Sequence, residues 1–293
     1  MQISLFGSFA ELPADAQNLA VNYRAKNPFV CDIWLQRYEE FILAEHDKAV
    51  YLVAHQDDVT QAMLPLVLTR HEKLRFKKLH SMANFYTTVF EPLLNETLDQ
   101  SAAADALAFY LLNEFNSVPL CEIEPLREAA FLELLVANYT RLSGREVRRY
   151  EKHVNRFEVV ADDTYESYLA RRPGQLRSTL KRKRKQLERL TDGRVDIYES
   201  YEDVAREYPN FRTVYEHSWK GEERFPDFIG AVVADLARVG KSKLGILYID
   251  GQPAAAQIWM RLAQTWGVFK LAYQPQYAQY SVGTLLTAAM IET

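Results

Sequence analysis

The chain has 293 residues, which is enough for one large domain or two medium domains with a substantial core. Apolar residues make up 48% and charged residues 25%, and 39 acidic against 35 basic side chains give a formal net charge of −4. This composition is typical of a globular protein and excludes bulk electrostatic attraction to nucleic acid or to an anionic membrane.

Signals for targeting and for metal binding are weak. The apolar runs fall short of the ~18 residues of a membrane-spanning helix, and the first residues lack the basic start and long apolar core of a secretory signal. Cys31 and Cys121 are isolated, and the six histidines show no H-E-x-x-H spacing. We therefore expect a cytoplasmic protein with no metal site and no disulfide framework.

In chain order, the first half predicts a mixed unit in which helices and strands are interleaved. The predicted helices are residues 31–45, 99–116 and 126–142, and the predicted strands are residues 49–54, 62–68, 74–80 and 118–123. Residues 145–160 alternate enough to predict another strand, or a strand pair with a bend.

The second half predicts a helix at residues 165–190, a strand at 195–198, and helices at 201–219 and 227–239. From Leu244 onward the pattern indicates three successive antiparallel strands, with a turn at Asp250 and Gly251 between the first two. A loop then leads to a helix that begins near Ser281.

The start of this last helix predicts a site for a phosphorylated cofactor. A helix N-terminus presents unpaired N–H groups and the positive end of the helix dipole, and Gly283 lets a phosphate approach the backbone closely. The sequence contains no G-x-G-x-x-G motif, so this pattern is not a dinucleotide fingerprint. An ordinary helix cap is the alternative interpretation.

Three short motifs together resemble the GNAT acyltransferase superfamily. They are IDGQPAA at residues 249–255, KLAY at 270–273 and YSVGTLL at 280–286. Within the superfamily, the similarity points to the branch related to Fem-type aminoacyl transferases and to acetyltransferases associated with bacterial cellulose and exopolysaccharide production. The basic stretch LRSTLKRKRKQL at residues 176–187 also resembles a segment of that branch.

The resemblance implies an α/β (mixed α+β) fold made of two tandem GNAT-like halves with mostly antiparallel central sheets. A turn between two apolar strands occurs at Asp57 and Asp58 and again at Asp250 and Gly251, which favours two related halves. We place the boundary between residues 161 and 162, so that residues 162–293 carry the acyl-CoA site. A GNAT unit has further strands after its cofactor-binding helix, so we expect this second half to be truncated at its C-terminus.

The resemblance also assigns contacts with the acyl-CoA to the last strand and the last helix. The strand would hold the pantetheine arm mainly through main-chain groups, and the helix start would hold the pyrophosphate. The residues implied are Lys270, Leu271, Ala272, Tyr273, Tyr280, Ser281, Val282, Gly283 and Thr284. Lys270 must reach solvent, a carboxylate or a phosphate, because an unpaired buried charge is unfavourable. We expect a solvated strand face in preference to a cofactor contact.

His217 and Tyr273 are the candidate catalytic residues. Histidine titrates near neutral pH, so His217 could accept a proton from an amine. A histidine near a helix C-terminus is, however, more often a surface group stabilised by the helix dipole. The candidate acceptor-binding residues are Tyr86, Trp219 and Lys220. Trp219 belongs either to the core or to the wall of a sugar site, and we expect Phe85 to serve in packing.

Residues 171–189 predict a basic amphipathic helix, with Leu176, Leu180 and Leu187 as its apolar stripe. Its nine basic residues are Arg171, Arg172, Arg177, Lys181, Arg182, Lys183, Arg184, Lys185 and Arg189. Three interpretations remain open: a solvated face, binding of CoA or acceptor phosphates, and binding of tRNA, which would be strongly salt-sensitive.

The function expected from the resemblance is N-acyl transfer from acetyl-CoA or a longer acyl-CoA. The acceptor would be an amine of a sugar, an amino acid or a cell-envelope or exopolysaccharide precursor. One alternative is an aminoacyl-tRNA-dependent transferase of the Fem type. The other is a non-catalytic binding or scaffold protein of a polysaccharide-export system.

Overall fold

The structure is a computed structural model that describes residues 1–70, 76–96, 99–127, 129–151, 156–160 and 163–293. The chain divides into two units, Met1–Tyr150 and Glu151–Thr293. The boundary that we predict between residues 161 and 162 lies outside the described residues and stays a prediction.

The first unit is built around a mostly antiparallel sheet. Its strands are β1 (Gln2–Phe6), β2 (Lys48–Gln56), β3 (Val59–Arg70), β4 (Lys77–Ser81), β5 (Leu93–Leu94) and β6 (Leu120–Glu122). Their order is β1-β2-β3-β4-β6, with β5 beside β3, and the β4–β6 pair is parallel. The helices of this unit are α1 (Ala14–Asn22), α2 (Asp32–Phe41), α3 (Gln100–Glu114) and α4 (Ala130–Ser143).

The β2–β3 hairpin forms because two adjacent residues tolerate a left-handed backbone. Asp57 and Asp58 have φ of 52° and 60°, as a two-residue type I′ turn requires. The strands that flank the turn place Leu52 opposite Leu64, and both side chains are buried. The strands predicted at residues 49–54 and 62–68 are confirmed.

Other parts of the first unit differ from the sequence prediction. The sequence pattern does not predict β1 or α1, because β1 has only five residues and α1 buries mainly Ala16, Leu19 and Ala20. The strand predicted at residues 145–160 is wrong for the residues described there, which have no regular structure. They follow Gly144, the left-handed cap after the last residue of α4. Residues 74 and 75 of the strand predicted at 74–80 lie outside the described residues.

The second unit contains a four-stranded antiparallel sheet in the order β10-β9-β8-β7. The strands are β7 (Arg194–Tyr198), β8 (Ser242–Ile249), β9 (Gln252–Leu262) and β10 (Thr265–Tyr273). The helices are α5 (Tyr165–Ala170), α6 (Gly174–Leu187), α7 (Tyr201–Glu216), α8 (Pro226–Arg238) and α9 (Val282–Glu292), and a 3-10 turn at Pro275–Tyr280 precedes α9. The helix predicted at 165–190 is interrupted between α5 and α6. Pro173 has no backbone N–H to donate to the preceding turn, so α5 ends before it and α6 begins after it.

Helices cover both faces of this sheet. On one face, Leu285, Leu286 and Met290 of α9 share an apolar core with Leu247 and Ile249 of β8. On the other face, the hydroxyl of Tyr248 donates to Glu207 of α7 at 3.0 Å. A Cβ at Gly245 would clash with the sulfur of Met290, so glycine permits the close approach of α9 to the sheet.

Across the described part of the chain, the helices are too short or too polar to cross a membrane.

Candidate functional site

A β-bulge interrupts β10, which is an edge strand of the second sheet. Val268 pairs with Trp259, but Lys270 pairs with the next residue, Ile258, so that Phe269 is the extra residue. A bulge bends the strand and re-aims its side chains. An edge strand also presents backbone N–H and C=O groups that can pair with the amides of a pantetheine arm.

The strand after the bulge ends against the first turn of α9. An added Cβ at Gly283 would lie 3.4 Å from Cδ1 of Tyr273, so the helix start and the strand end are in contact. The first-turn N–H groups of Val282, Gly283 and Thr284 have no acceptor within the helix. The side chains of Ala272 and Val282 are buried in the core, so these two residues could contact a ligand only through their backbone.

Ser281 does not cap α9 with its hydroxyl. Its backbone is left-handed, with φ of 56° and ψ of 39°, and its side chain makes no capping hydrogen bond. Ser281 is therefore the N-cap residue of α9 without the hydroxyl hydrogen bond of an ordinary serine cap, and the assignment of the helix start to a cofactor stays a prediction. Instead, the backbone carbonyl of Ser281 accepts from the N–H of Leu285 at 3.0 Å.

A buried glutamine holds the first turn of α9 against the sheet. Gln257 of β9 donates to the hydroxyl of Thr287 at 2.7 Å, and that hydroxyl donates to the carbonyl of Gly283 at 2.9 Å. The indole N–H of Trp259 donates to Gln257 at 2.9 Å. This network fixes the helix start relative to β9.

Lys270 is buried rather than solvated, so the expectation of a solvated strand face is wrong. Its ammonium forms an ion pair with Glu223, which lies in the loop between α7 and α8. Only 9% of the lysine side chain and 6% of the glutamate side chain are exposed. Burial lowers the pKa of Lys270, and the hydrogen bond to Glu223 opposes that shift.

Aromatic rings lie near the ammonium of Lys270 and near that of Lys220. The ammonium nitrogen of Lys270 lies 5.0 Å from the ring centre of Tyr215 in α7. Trp219 is 56% exposed, and its ring centre lies 4.8 Å from that of Tyr273. Lys220 places its ammonium nitrogen 5.6 Å from the Tyr215 ring centre and 5.9 Å from that of Trp219, and partial burial lowers its pKa.

Of the predicted site residues, Trp219 therefore contacts Tyr273 and lies near Lys220, and the ammonium groups of Lys220 and Lys270 both lie near the Tyr215 ring. Sequence reasoning did not find their neighbours Tyr215 and Glu223. A lysine in an apolar strand needs a partner, so a search for acidic residues in the nearby loop could have suggested Glu223.

His217 lies at the C-terminal end of α7. Its Nδ1 atom is 2.8 Å from the carbonyl oxygen of Thr213, and its backbone N–H donates to the same carbonyl at 3.2 Å. These contacts support the interpretation of His217 as a residue of the helix end, while a catalytic role stays a prediction.

Tyr86 of the first unit is buried, whereas Phe85 beside it is 62% exposed. The two ring centres are 3.9 Å apart. The expectation that Phe85 serves in packing is therefore wrong for the core, because its ring is largely exposed and the buried ring is that of Tyr86. Binding of an acceptor by Tyr86 stays a prediction.

One residue of the basic helix is structural. Lys183 is buried in the apolar face of α6, and its ammonium donates to the carbonyl of Gln279, just before α9. It also donates to Gln186 at 3.0 Å. Arg184 pairs with Glu292 at 2.8 Å. Exposed members such as Lys181, Arg182, Lys185 and Arg189 form the outer face.

Within the described residues, no group of three or more histidine, cysteine, aspartate or glutamate side chains is arranged to hold a metal ion.

Comparison with protein families assigns the second unit to a class. Residues 174–293, less than half of the chain, match the family described as acetyltransferase (GNAT) domain. This segment begins with α6 and includes the bulged strand and α9. The second unit therefore contains a GNAT acetyltransferase domain, and the protein is an enzyme of the acyltransferase class.

Solved structures extend the similarity over the whole chain. The crystal structure of FemX gives a TM-score of 0.62 at 9% identity, covering 100% of this chain and 85% of that chain. The C-terminal DUF2156 domain of an Agrobacterium fabrum protein gives a TM-score of 0.51 at 12% identity, covering 97% and 74%. At such identities these similarities show the fold, which is mixed α/β with two mostly antiparallel sheets.

A tandem GNAT protein from the clavulanic acid biosynthesis pathway gives a TM-score of 0.42 at 10% identity, over 99% of this chain and 85% of that chain. A score this low supports no inference about the present chain. Comparison with curated protein sequences gave no significant match.

Proposed function

We propose that the protein transfers an acyl group from acyl-CoA to an amine. The observation that carries this proposal is the bulged edge strand β10, whose last residue, Tyr273, contacts the start of α9 at Gly283. The strand edge would pair with the pantetheine amides. The first-turn N–H groups of α9 would bind the pyrophosphate.

The residues at the bulge fit the chemistry of amide formation. The neutral amine nitrogen attacks the thioester carbonyl carbon, the C–N bond forms and the C–S bond breaks, and the thiolate takes up the proton that the amine loses. Backbone N–H groups at the bulge and the ammonium of Lys270 would stabilise the negative charge that develops on the carbonyl oxygen. Burial of Lys270 strengthens this interaction, because the local dielectric is low.

Trp219 and Lys220 belong to the α7–α8 loop, and the exposed ring of Trp219 lies beside Tyr273, the last residue of β10. We place the amine acceptor there. An aromatic surface beside a cation suits a sugar or amino acid that also carries an anionic group. An amine of a cell-envelope or exopolysaccharide precursor combines these features.

An exposed basic face on α6 favours one alternative, which is aminoacyl transfer from tRNA. Lys181, Arg182 and Lys185 are exposed on this helix and could contact a phosphate backbone. The similarity in fold to FemX is consistent with this alternative but does not select it.

Calorimetric titration of the full chain with CoA, acetyl-CoA and aminoacyl-tRNA tests the proposal. We expect saturable binding of CoA and acetyl-CoA, and release of free thiol from acetyl-CoA when an amino sugar such as glucosamine is added. Binding of tRNA without binding of CoA would support the alternative. Binding of neither would favour a non-catalytic scaffold and refute acyl transfer.

A further inference from the structure

The ion pair between Glu223 and Lys270 connects the α7–α8 loop to the bulge of β10. Glu223 lies in the loop between Glu216, the last residue of α7, and Pro226, the first residue of α8. Lys270 is the first residue after the bulge. Both side chains are almost fully buried, and Tyr215 lies beside them.

A buried ion pair is an inefficient way to join a loop to a strand. Removing each charge from water is unfavourable, and an apolar pair of similar volume is often equally stable or more stable. Among the described residues of this unit, two other buried lysines are held differently, because Lys183 donates to the carbonyl of Gln279 and Lys243 to the carbonyl of Met290. Lys270 has instead a dedicated carboxylate, supplied from a sequence distance of 47 residues.

We propose that Glu223 is a positioning residue, which holds the Lys270 ammonium at the bulge so that it can donate to the acyl carbonyl oxygen. This inference rests on the proposed acyl transfer. Glu223 acts through Lys270 and contacts neither the thioester nor the amine. Without the carboxylate, the ammonium would turn toward solvent or lose its proton, because burial already favours the neutral amine.

This role predicts a measurable preference for the acylated form of the co-substrate. CoA and acetyl-CoA share the pantetheine and the pyrophosphate, but only acetyl-CoA has a carbonyl for Lys270. One hydrogen bond from a charged donor corresponds to roughly a tenfold tighter binding of acetyl-CoA than of CoA.

The test compares the dissociation constants of CoA and acetyl-CoA by calorimetry on the full chain. Glu223→Gln should abolish the preference for acetyl-CoA, while the affinity of this variant for CoA should stay within about twofold of the wild-type value. A twofold change is far smaller than the roughly tenfold change expected from one hydrogen bond. Glu223→Asp keeps the charge and should restore part of the preference. The matched control is Asp32→Asn, which removes a carboxylate whose side chain is 5% exposed from an ion pair with Arg24 in the first unit. This control should lower stability but keep the preference.

A double variant keeps the inference testable if the Glu223→Gln protein does not fold. Glu223→Leu with Lys270→Met replaces both charges by apolar groups, so it should fold, bind CoA and lack the preference. A folded Glu223→Gln protein, or a double variant, that keeps the full preference would overturn the inference. A wild-type protein that binds no CoA would instead refute the proposed function itself.

Discussion

Charge substitution at Thr284 separates phosphate binding from helix stability, because the two effects have opposite signs. Thr284 is exposed and is the third residue of α9, counted from Val282. A glutamate at this position lies near the positive end of the helix dipole and should raise the free energy of unfolding by about 0.3–1 kcal/mol. The same carboxylate would face the pyrophosphate that we place at the helix start.

The repulsion can be estimated from Coulomb's law. Two unit charges about 6 Å apart at an effective dielectric constant of about 20 interact by roughly 2–3 kcal/mol. Thr284→Glu should therefore weaken CoA binding roughly 30- to 140-fold. Thr284→Gln is the neutral control and should bind like the wild type. Thr284→Lys should bind CoA at least as tightly, although it weakens the helix start slightly.

Calorimetry at low and at high ionic strength measures the binding, and urea denaturation measures the stability. The difference between the glutamate and lysine variants should shrink as salt is added, because exposed charges are screened. If the glutamate variant is folded and binds CoA with wild-type affinity, the pyrophosphate does not lie at the start of α9.

Three further substitutions test separate parts of the structure. Lys183→Glu should lower the free energy of unfolding by about 3 kcal/mol, because a buried carboxylate would replace a buried donor. Lys185→Glu on the exposed face should change the free energy of unfolding by less than about 0.5 kcal/mol. Equal effects of the two variants in urea denaturation would contradict this distinction. Ser281→Gly should raise the free energy of unfolding by roughly 1 kcal/mol, because glycine adopts the left-handed backbone without strain. Ser281→Ala should have little effect on stability. A large loss of stability in the alanine variant would show a capping role for the hydroxyl. Burial lowers the pKa of His80 below its ordinary value of 6.5, so the unfolded state binds the proton more readily and stability should fall as the pH drops below 6.5. His80→Gln should flatten this pH dependence in thermal denaturation, and an unchanged slope would assign it to other groups.

The elements that sequence predicts well are those with strong local signals. Asp57 and Asp58, and likewise Asp250 and Gly251, specify two-residue turns through residues that tolerate a positive φ. The apolar stripe of α6 is confirmed at two of its three predicted residues, because Leu187 is buried and Leu180 packs against the same core. Lys183 occupies that stripe as well, and no local pattern marks a lysine for burial.

The parts of the site that sequence does not predict depend on pairing across the chain. The left-handed backbone of Ser281 follows from how the 3-10 turn meets α9, and serine itself has no preference for it. Likewise, the similarity of the two halves that we predict from the repeated turns stays a prediction, since both units have mostly antiparallel sheets but different numbers of strands in their described residues.

The position of Lys270 shows how one unpaired residue decides the chemistry of the site. Side chains alternate between the two faces of a strand, so an unbroken β10 would place Lys270 on the same face as Val268, which is exposed. The extra residue Phe269 shifts the register by one, so that Lys270 pairs with Ile258 instead and lies on the face of α7 and its following loop. The bulge thus both bends the edge that would bind pantetheine and turns a solvated lysine into a buried cation beside Glu223. A sequence pattern read at a constant period of two places Lys270 on the face of Val268, whereas the register of the β9–β10 pair places it beside α7 and Glu223.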